Sequence, residues 1–322
     1  MKAQEYVLLF GLGAIWGLSY VFIRVASPLF GPALLMGMRV AIASGVTLVY
    51  IAATGQWKTA LPSFRTRGRQ YLVMGLVNAA IPFTLIAASE LVINASYAAI
   101  LNATTPVFSA LVAMTWGARP LTARVAGGIA IGIAGVTIAV GAAPFSLTPL
   151  VLGAIALSIG GALSYGVGAF YAHRHTADVA PVTASLGQTL AATLILFPFA
   201  LAEAPTAHWT VPGDVSLLGL AVLCTFFAYL LYFRILQKSG PTETLTVTFL
   251  IPIFGVLWGH LLLGESIGLG TLVGLAVVLV GISLVTGYRP RFSFSPRPVT
   301  QRPSGALQGP PLVSEPPTER KT

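Results

Sequence analysis

Charge is what this sequence has little of. Only 8% of its 322 residues are Asp, Glu, Lys or Arg, against about 25% in a soluble domain. With 56% hydrophobic residues, that scarcity excludes a water-soluble globule, which would expose far too much apolar surface. Cysteine is nearly absent too. Cys224 stands alone inside an apolar run, so no intramolecular disulfide and no cysteine-based metal cluster can form, and the residue reads as a small packing side chain. No phosphate-binding loop of the Gly-Lys-Ser/Thr kind occurs, which argues against a nucleotide-driven pump. His173 and His175 are two residues apart in a loop, a poor spacing for two ligands on one helix face, and no carboxylate cluster joins them. No metal and no cofactor is expected.

What fills the chain instead is a series of apolar segments of about 20 residues, the length that crosses a ~30 Å hydrocarbon core. Ten recur, near 6–26, 33–53, 71–89, 95–114, 123–142, 150–172, 182–201, 215–234, 242–262 and 269–287. Turn residues separate them, among them Pro28, Pro62, Pro120, Pro181, Pro212 and Gly240-Pro241. Lys2 followed by an apolar stretch resembles a signal peptide, but the stretch runs on to Ile23 and more such segments follow, so it reads as an uncleaved first helix. The fold class expected is an all-α membrane protein of about ten transmembrane helices.

The net charge of +9 would suggest nucleic acid on a soluble protein. Here the basic residues sit in short connections and in the tail, so no nucleic-acid partner is expected. With the N-terminus inside, the inner connections hold Lys58, Arg65, Arg67, Arg69, Arg119, Arg124, Arg174, Arg234 and Lys238, whereas the outer ones hold Glu203, Asp214 and Glu265. That alternation orients the chain in a cell inner membrane with both termini cytoplasmic. Residues 288–322, rich in Pro, Ser, Arg and Gln, bury too little to fold and are expected to be a disordered cytoplasmic tail.

An internal repeat divides the rest. At an offset of 146, Pro106 falls on Pro252, Phe108 on Phe254, Gly128 on Gly274 and Gly135 on Gly281. At 145, Leu18-Ser19-Tyr20 falls on Leu163-Ser164-Tyr165, and at 149 Arg39 falls on Gln188. We therefore read residues 1–143 and 144–287 as two five-helix repeats. An odd number of spans per half makes the second enter the membrane from the opposite side, an inverted repeat of the kind many secondary transporters use.

The chain resembles the drug/metabolite transporter superfamily, EamA type. The resemblance rests on Ala14-Ile15-Trp16-Gly17, Met38-Arg39-Val40, Thr104-Thr105-Pro106-Val107-Phe108, Phe249-Leu250-Ile251-Pro252 and Leu262-Leu263-Gly264-Glu265, and covers roughly residues 6–287. It implies a ten-helix carrier that exports or exchanges small organic solutes by alternating access, as in amino-acid exporters of the YddG type. The second half departs from the pattern, with Gly161-Ala162 in place of a Trp-Gly pair and Gln188 answering Arg39.

Ionisable residues within spans are costly and count as functional candidates. Arg24, Arg39 and Glu90 fall toward the outer side, where Glu90 pairing with Arg24 or Arg39 would form a gate, or Arg39 would hold a substrate carboxylate. A static pair and a snorkelling Arg24 are the plainer readings. Substrate-binding candidates are Trp16, Tyr20, Arg39, Asn78, Asn102, Thr105, Tyr165, Gln188, Tyr229 and Thr246, with Ser164 and Thr248 beside them. Together they offer donors for a carboxylate, acceptors for an ammonium and aromatic walls. Pro82, Pro106 and Pro252 interrupt helical hydrogen bonding and are candidate hinges. With no Asp or Glu deep in the spans, and Glu90, Glu265 and His260 near outer ends, weak or absent proton coupling is expected. The function expected is a facilitative secondary transporter of neutral or aromatic amino acids, with membrane lipid as its surroundings. A proton-coupled exporter of drugs or amphipathic metabolites is the nearest alternative. An embedded enzyme lacks a visible reactive cluster, and a channel lacks a filter motif.

Overall fold

The computed structural model describes residues 3–116, 121–143, 146–176, 178–239, 244 and 246–287. The tail expected to be disordered, and the turns at Pro120 and Gly240-Pro241, lie outside them. All the regular structure among the described residues is helical. Hydrocarbon offers no partner for a backbone N–H or C=O, so each crossing must satisfy its own, as a helix does.

The helices are α1 (Ala3–Phe30), α2 (Pro32–Ala53), α3 (Trp57–Gly75), α4 (Ile81–Ser89), α5 (Ala95–Asn102), α6 (Thr105–Thr115), α7 (Ala123–Gly141), α8 (Pro149–Thr176), α9 (Pro181–Glu203), α10 (Val211–Leu218), α11 (Ala228–Ser239), α12 (Val247–Leu263) and α13 (Leu269–Thr286). Among the described residues they make nine spans long and apolar enough to cross a membrane, with α12 a shorter tenth at 17 residues. The chain is a multi-pass membrane protein of about ten spans.

Three spans are composite. The third runs from α3 through a π-helical stretch, Leu76–Ala80, into α4. The eighth joins α10 to α11 through a π-helical stretch, Gly219–Phe227. The fourth breaks at Ala103–Thr104 between α5 and α6. An offset of 146 carries 76–80 onto 222–226, inside the second π-helical stretch. The third span also begins earlier than the expected 71. The helix already runs at Trp57, with Pro62 inside it and a kink at Arg67 (φ −121°, ψ 21°). The basic residues there lie on a helical extension rather than in a loop. Of the candidate hinges, Pro82 and Pro106 each take an early position in a helix just after an interruption. At Pro106, just past the break at Ala103–Thr104, a missing N–H costs nothing. Pro252 lies within continuous α12.

Packing pairs α1 with α12, α2 with α9, α4 and α6 with α8, and α7 with α13. The α7–α13 seam is the tightest. A Cβ on Gly135 would sit 2.5 Å from the Val278 nitrogen, and one on Gly281 2.6 Å from that of Gly132. Lipid tails are as apolar as leucine, so helices associate through such close backbone contact. The small-residue spacing of these helices is therefore spent within the chain. Large apolar side chains such as Leu194, Phe197 and Leu201 point outward, as a lipid-facing surface requires.

Candidate functional site

Arg39 is buried, 5% exposed, one and a half to two turns into α2. Its Nε donates to Thr225 Oγ1 at 3.0 Å, and its Nη1 lies 3.8 Å from Met36 Sδ. The guanidinium carbon stands 4.0 Å over the Phe83 ring. Thr225 owes its place to the π-helical stretch, where its hydroxyl donates 2.8 Å to the Leu220 carbonyl five residues back. No carboxylate among the described residues pairs with Arg39. A hydroxyl, a thioether and a ring face engage few of its five N–H groups, so it presents unspent donors to the interior. Tyr20, Tyr165, Cys224 and Tyr229 all lie within its electrostatic reach.

On the other side stands Gln188 of α9, also buried. Its Oε1 accepts from Asn78 Nδ2 at 2.8 Å, and its Nε2 donates to the Tyr229 hydroxyl at 3.2 Å. Asn78 belongs to the π-helical stretch of the third span, and the neighbouring Val77 carbonyl accepts from Ser164 Oγ at 2.7 Å. Gly168 leaves room for Asn78, since a Cβ there would lie 2.8 Å from its own. Trp16 packs against Tyr229 and Tyr232, with ring centres 6.3 and 5.7 Å apart. A second network joins Asn102, whose Nδ2 donates to Tyr20 at 2.7 Å, to Thr105, whose hydroxyl donates to the Asn102 carbonyl at 2.7 Å. Tyr165 packs against Phe83 at 6.1 Å. The candidates thus gather around two polar networks and one guanidinium. Thr246 stands instead at the head of α12, half-buried.

The two ends of the bundle are closed differently. At the end rich in carboxylates, Glu203 Oε2 accepts from Ala33 N and Leu34 N at 2.8 and 2.9 Å, capping α2. Gly31 makes this possible, with φ +83° and a Cβ position 2.5 Å from that same oxygen, so a side chain would be strained and would collide. Glu265 caps α5 likewise, its Oε1 accepting from Ala95 N at 2.8 Å and its Oε2 from Ser96 N at 3.0 Å and from Ser96 Oγ. Helix N-termini favour such anions. At the basic end an exposed pair, Arg67 with Asp178 at 2.5 Å, joins α3 to the α8–α9 connection. A shallow cleft there, between Thr47, Val182, Ser185, Phe226, Tyr229 and Leu230, has room for about one water-sized molecule.

The expected ion pairs of Glu90 do not form. Arg24 Nη1 donates to the Glu90 backbone carbonyl, which terminates α4 and offers an acceptor pointing along the helix axis. Arg39 is held by Thr225 and Phe83. The Glu90 side chain is fully buried, and neither carboxylate oxygen has a hydrogen-bond partner. Sequence reasoning missed Thr225, Phe83 and Tyr232, and also the buried Ser44–Thr189 bond of 2.8 Å between α2 and α9. The 146-residue offset places Thr225 opposite Ala79, beside Asn78, which was the one available signal.

Buried polar contacts thus run through the interior of a bundle of about ten spans. The model of the EamA-like transporter family matches the chain twice, over residues 4–141 and 152–287. The chain belongs to the EamA-like transporter family. It is similar to an uncharacterised transporter, YvbV, of Bacillus subtilis, with 26% identity over 88% of this chain and 92% of that one. An uncharacterised inner membrane transporter, YedA, of Escherichia coli is 26% identical over 86% of this chain and 89% of its own. A transporter of Archaeoglobus fulgidus is 22% identical, covering 89% and 100%. A protein crystal structure superposes with TM-score 0.62 at 15% identity, covering 89% of this chain and 97% of that one, a likeness of fold alone. This EamA-family chain is thus a transporter.

Proposed function

We propose that this transporter is an alternating-access carrier of neutral and aromatic amino acids and similar small organic carboxylates. One observation carries the reading: Arg39 is a buried guanidinium with no carboxylate among the described residues paired to it. A charge so placed is expensive unless a partner arrives, and a planar carboxylate is the partner its fork fits best. Hydroxyl and amide oxygens of Tyr20 and Asn102 offer acceptors for an ammonium. Trp16, Phe83 and Tyr165 offer walls for the side chain. The cleft is too small for such a solute, so binding requires the basic end to open further, and release on the other side requires the acidic end to part. Opening the two ends in turn is alternating access. The solute gradient drives net flux, in either direction. We place the protein in a bacterial-type inner membrane, as with the inner membrane transporter YedA, with the basic end and both termini in the cytoplasm.

The test is counterflow in liposomes holding the purified protein, preloaded with unlabelled phenylalanine and given a trace of the labelled amino acid without an ion gradient. Transient accumulation above equilibrium is expected, and it separates a carrier from a channel. Its absence for a panel of neutral and aromatic amino acids, with folded protein, would remove the substrate assignment.

A further inference from the structure

Among the described residues, Glu90 is the one side chain with two buried carboxylate oxygens and no hydrogen bond to either. Read from the sequence it lies at an outer end, where a carboxylate stays wet. The structure buries it completely, and both of its carboxylate oxygens lack a hydrogen bond. An ionised carboxylate buried without hydrogen bonds is the costliest arrangement available to the group, and protonation relieves it.

The neighbours do not supply the missing stabilisation. From α1, Arg24 spends its described contact on the Glu90 carbonyl rather than the carboxylate, and Tyr20 is turned to Asn102. From α2, Arg39 faces Thr225 and Phe83. From α8, Tyr165 packs against Phe83. From α5, Tyr97 bonds to Thr271 at 2.9 Å. From beyond α12 comes a second negative charge, Glu265, itself committed to capping α5, with the His260 ring against its carbonyl at 2.8 Å. Burial and the Glu265 carboxylate push the Glu90 carboxyl well above the usual carboxylate range, against the opposing pull of Arg24.

We propose that Glu90 is a proton-binding site that holds the acidic end shut. With that end closed, the carboxyl carries a proton. When α4 and α5 part from α1 and the Glu265 cap, water reaches the group, the O–H proton passes to that water, and the carboxylate is free to meet Arg24. The closed state thus binds one proton more than the open state. Linkage then fixes the sign: lowering pH favours closure, and raising it favours opening. Between the closed-state and open-state pKa values, the ratio of open to closed changes about tenfold per pH unit.

Two measurements on the purified full chain in lipid test this. The first needs no substrate, so its outcome is independent of the amino-acid reading. Infrared difference spectra of wild type against Glu90→Gln at pH 7 should show a neutral carboxylic-acid C=O band that shifts in heavy water and is missing in the variant. If Glu90→Gln does not fold, Glu90→Asp should move the band instead. Carboxylate bands alone, or an acid band indifferent to both changes, would overturn the proposal. The second is counterflow at equal pH on both sides. The wild-type rate should rise with pH, by up to about tenfold per unit where opening limits it, and Glu90→Gln should be slow and flat. A variant that keeps the wild-type pH profile would assign the titration to another group and overturn it.

Discussion

The two family-matched halves of the chain, residues 4–141 and 152–287, take part in two similar contacts, and only one of them is charged. In one, Arg39 of α2 reaches Thr225 in the π-helical stretch of the eighth span. In the other, Gln188 of α9 receives Asn78 from the π-helical stretch of the third. The neutral contact is complete within the chain, since Gln188 also has Tyr229. The charged one is not. A hydroxyl, a thioether and an aromatic face leave most of the guanidinium donors unspent. The same scaffold therefore completes one contact and leaves the other with donors unspent.

Four substitutions sharpen or break that comparison. Making both sides cationic, with Gln188→Arg, should do most damage, because it buries a second guanidinium without a counter-charge. We expect a loss of ~3–5 kcal/mol, read by thermal unfolding in detergent. Exchanging the two residues, Arg39→Gln with Gln188→Arg, should restore much of it. Making both sides neutral, with Arg39→Gln, should leave the fold intact and raise the KM for amino acids by about 10–100-fold, the equivalent of one or two charge-assisted hydrogen bonds. Counterflow titrations read this. The two carboxylate caps come next. Glu265→Gln removes the charge that satisfies Ala95 N, Ser96 N and Ser96 Oγ, and should cost ~1–2 kcal/mol of thermal stability. The smallest effect is expected from Thr225→Val, about 1 kcal/mol for one lost hydrogen bond to a buried cation, with a few-fold rise in KM.

The halves also show how far sequence carries. Spans are legible because hydrocarbon thickness fixes their length and backbone satisfaction fixes their conformation. Charge spacing separates a basic from an acidic set of connections for the same reason: the cost of moving a cation across lipid is local and additive. Contacts between helices are set differently, by register. Glu90 and Arg24 are close, as the sequence suggested, yet the guanidinium takes the main-chain carbonyl of Glu90. No pattern of side chains announces a backbone acceptor. Thr225 was hidden because a lone threonine in an apolar helix is ordinary, and only the i→i+5 turn aims it at Arg39. Helical extension through Arg65 and Arg67 was missed because polar residues beside a membrane read as loop, although a helix with one face in water accepts them.

The central claim is that Arg39 binds a carboxylate delivered by the solute. The most direct measurement compares labelled phenylalanine with its amide, which keeps the ring and ammonium but loses the anion, as counterflow substrates of wild type and Arg39→Gln in the same liposomes. Wild type should prefer the acid by about 10–100-fold in kcat/KM, and the variant should lose that preference. Equal transport of acid and amide by wild type, or an undiminished preference in Arg39→Gln, would contradict the account.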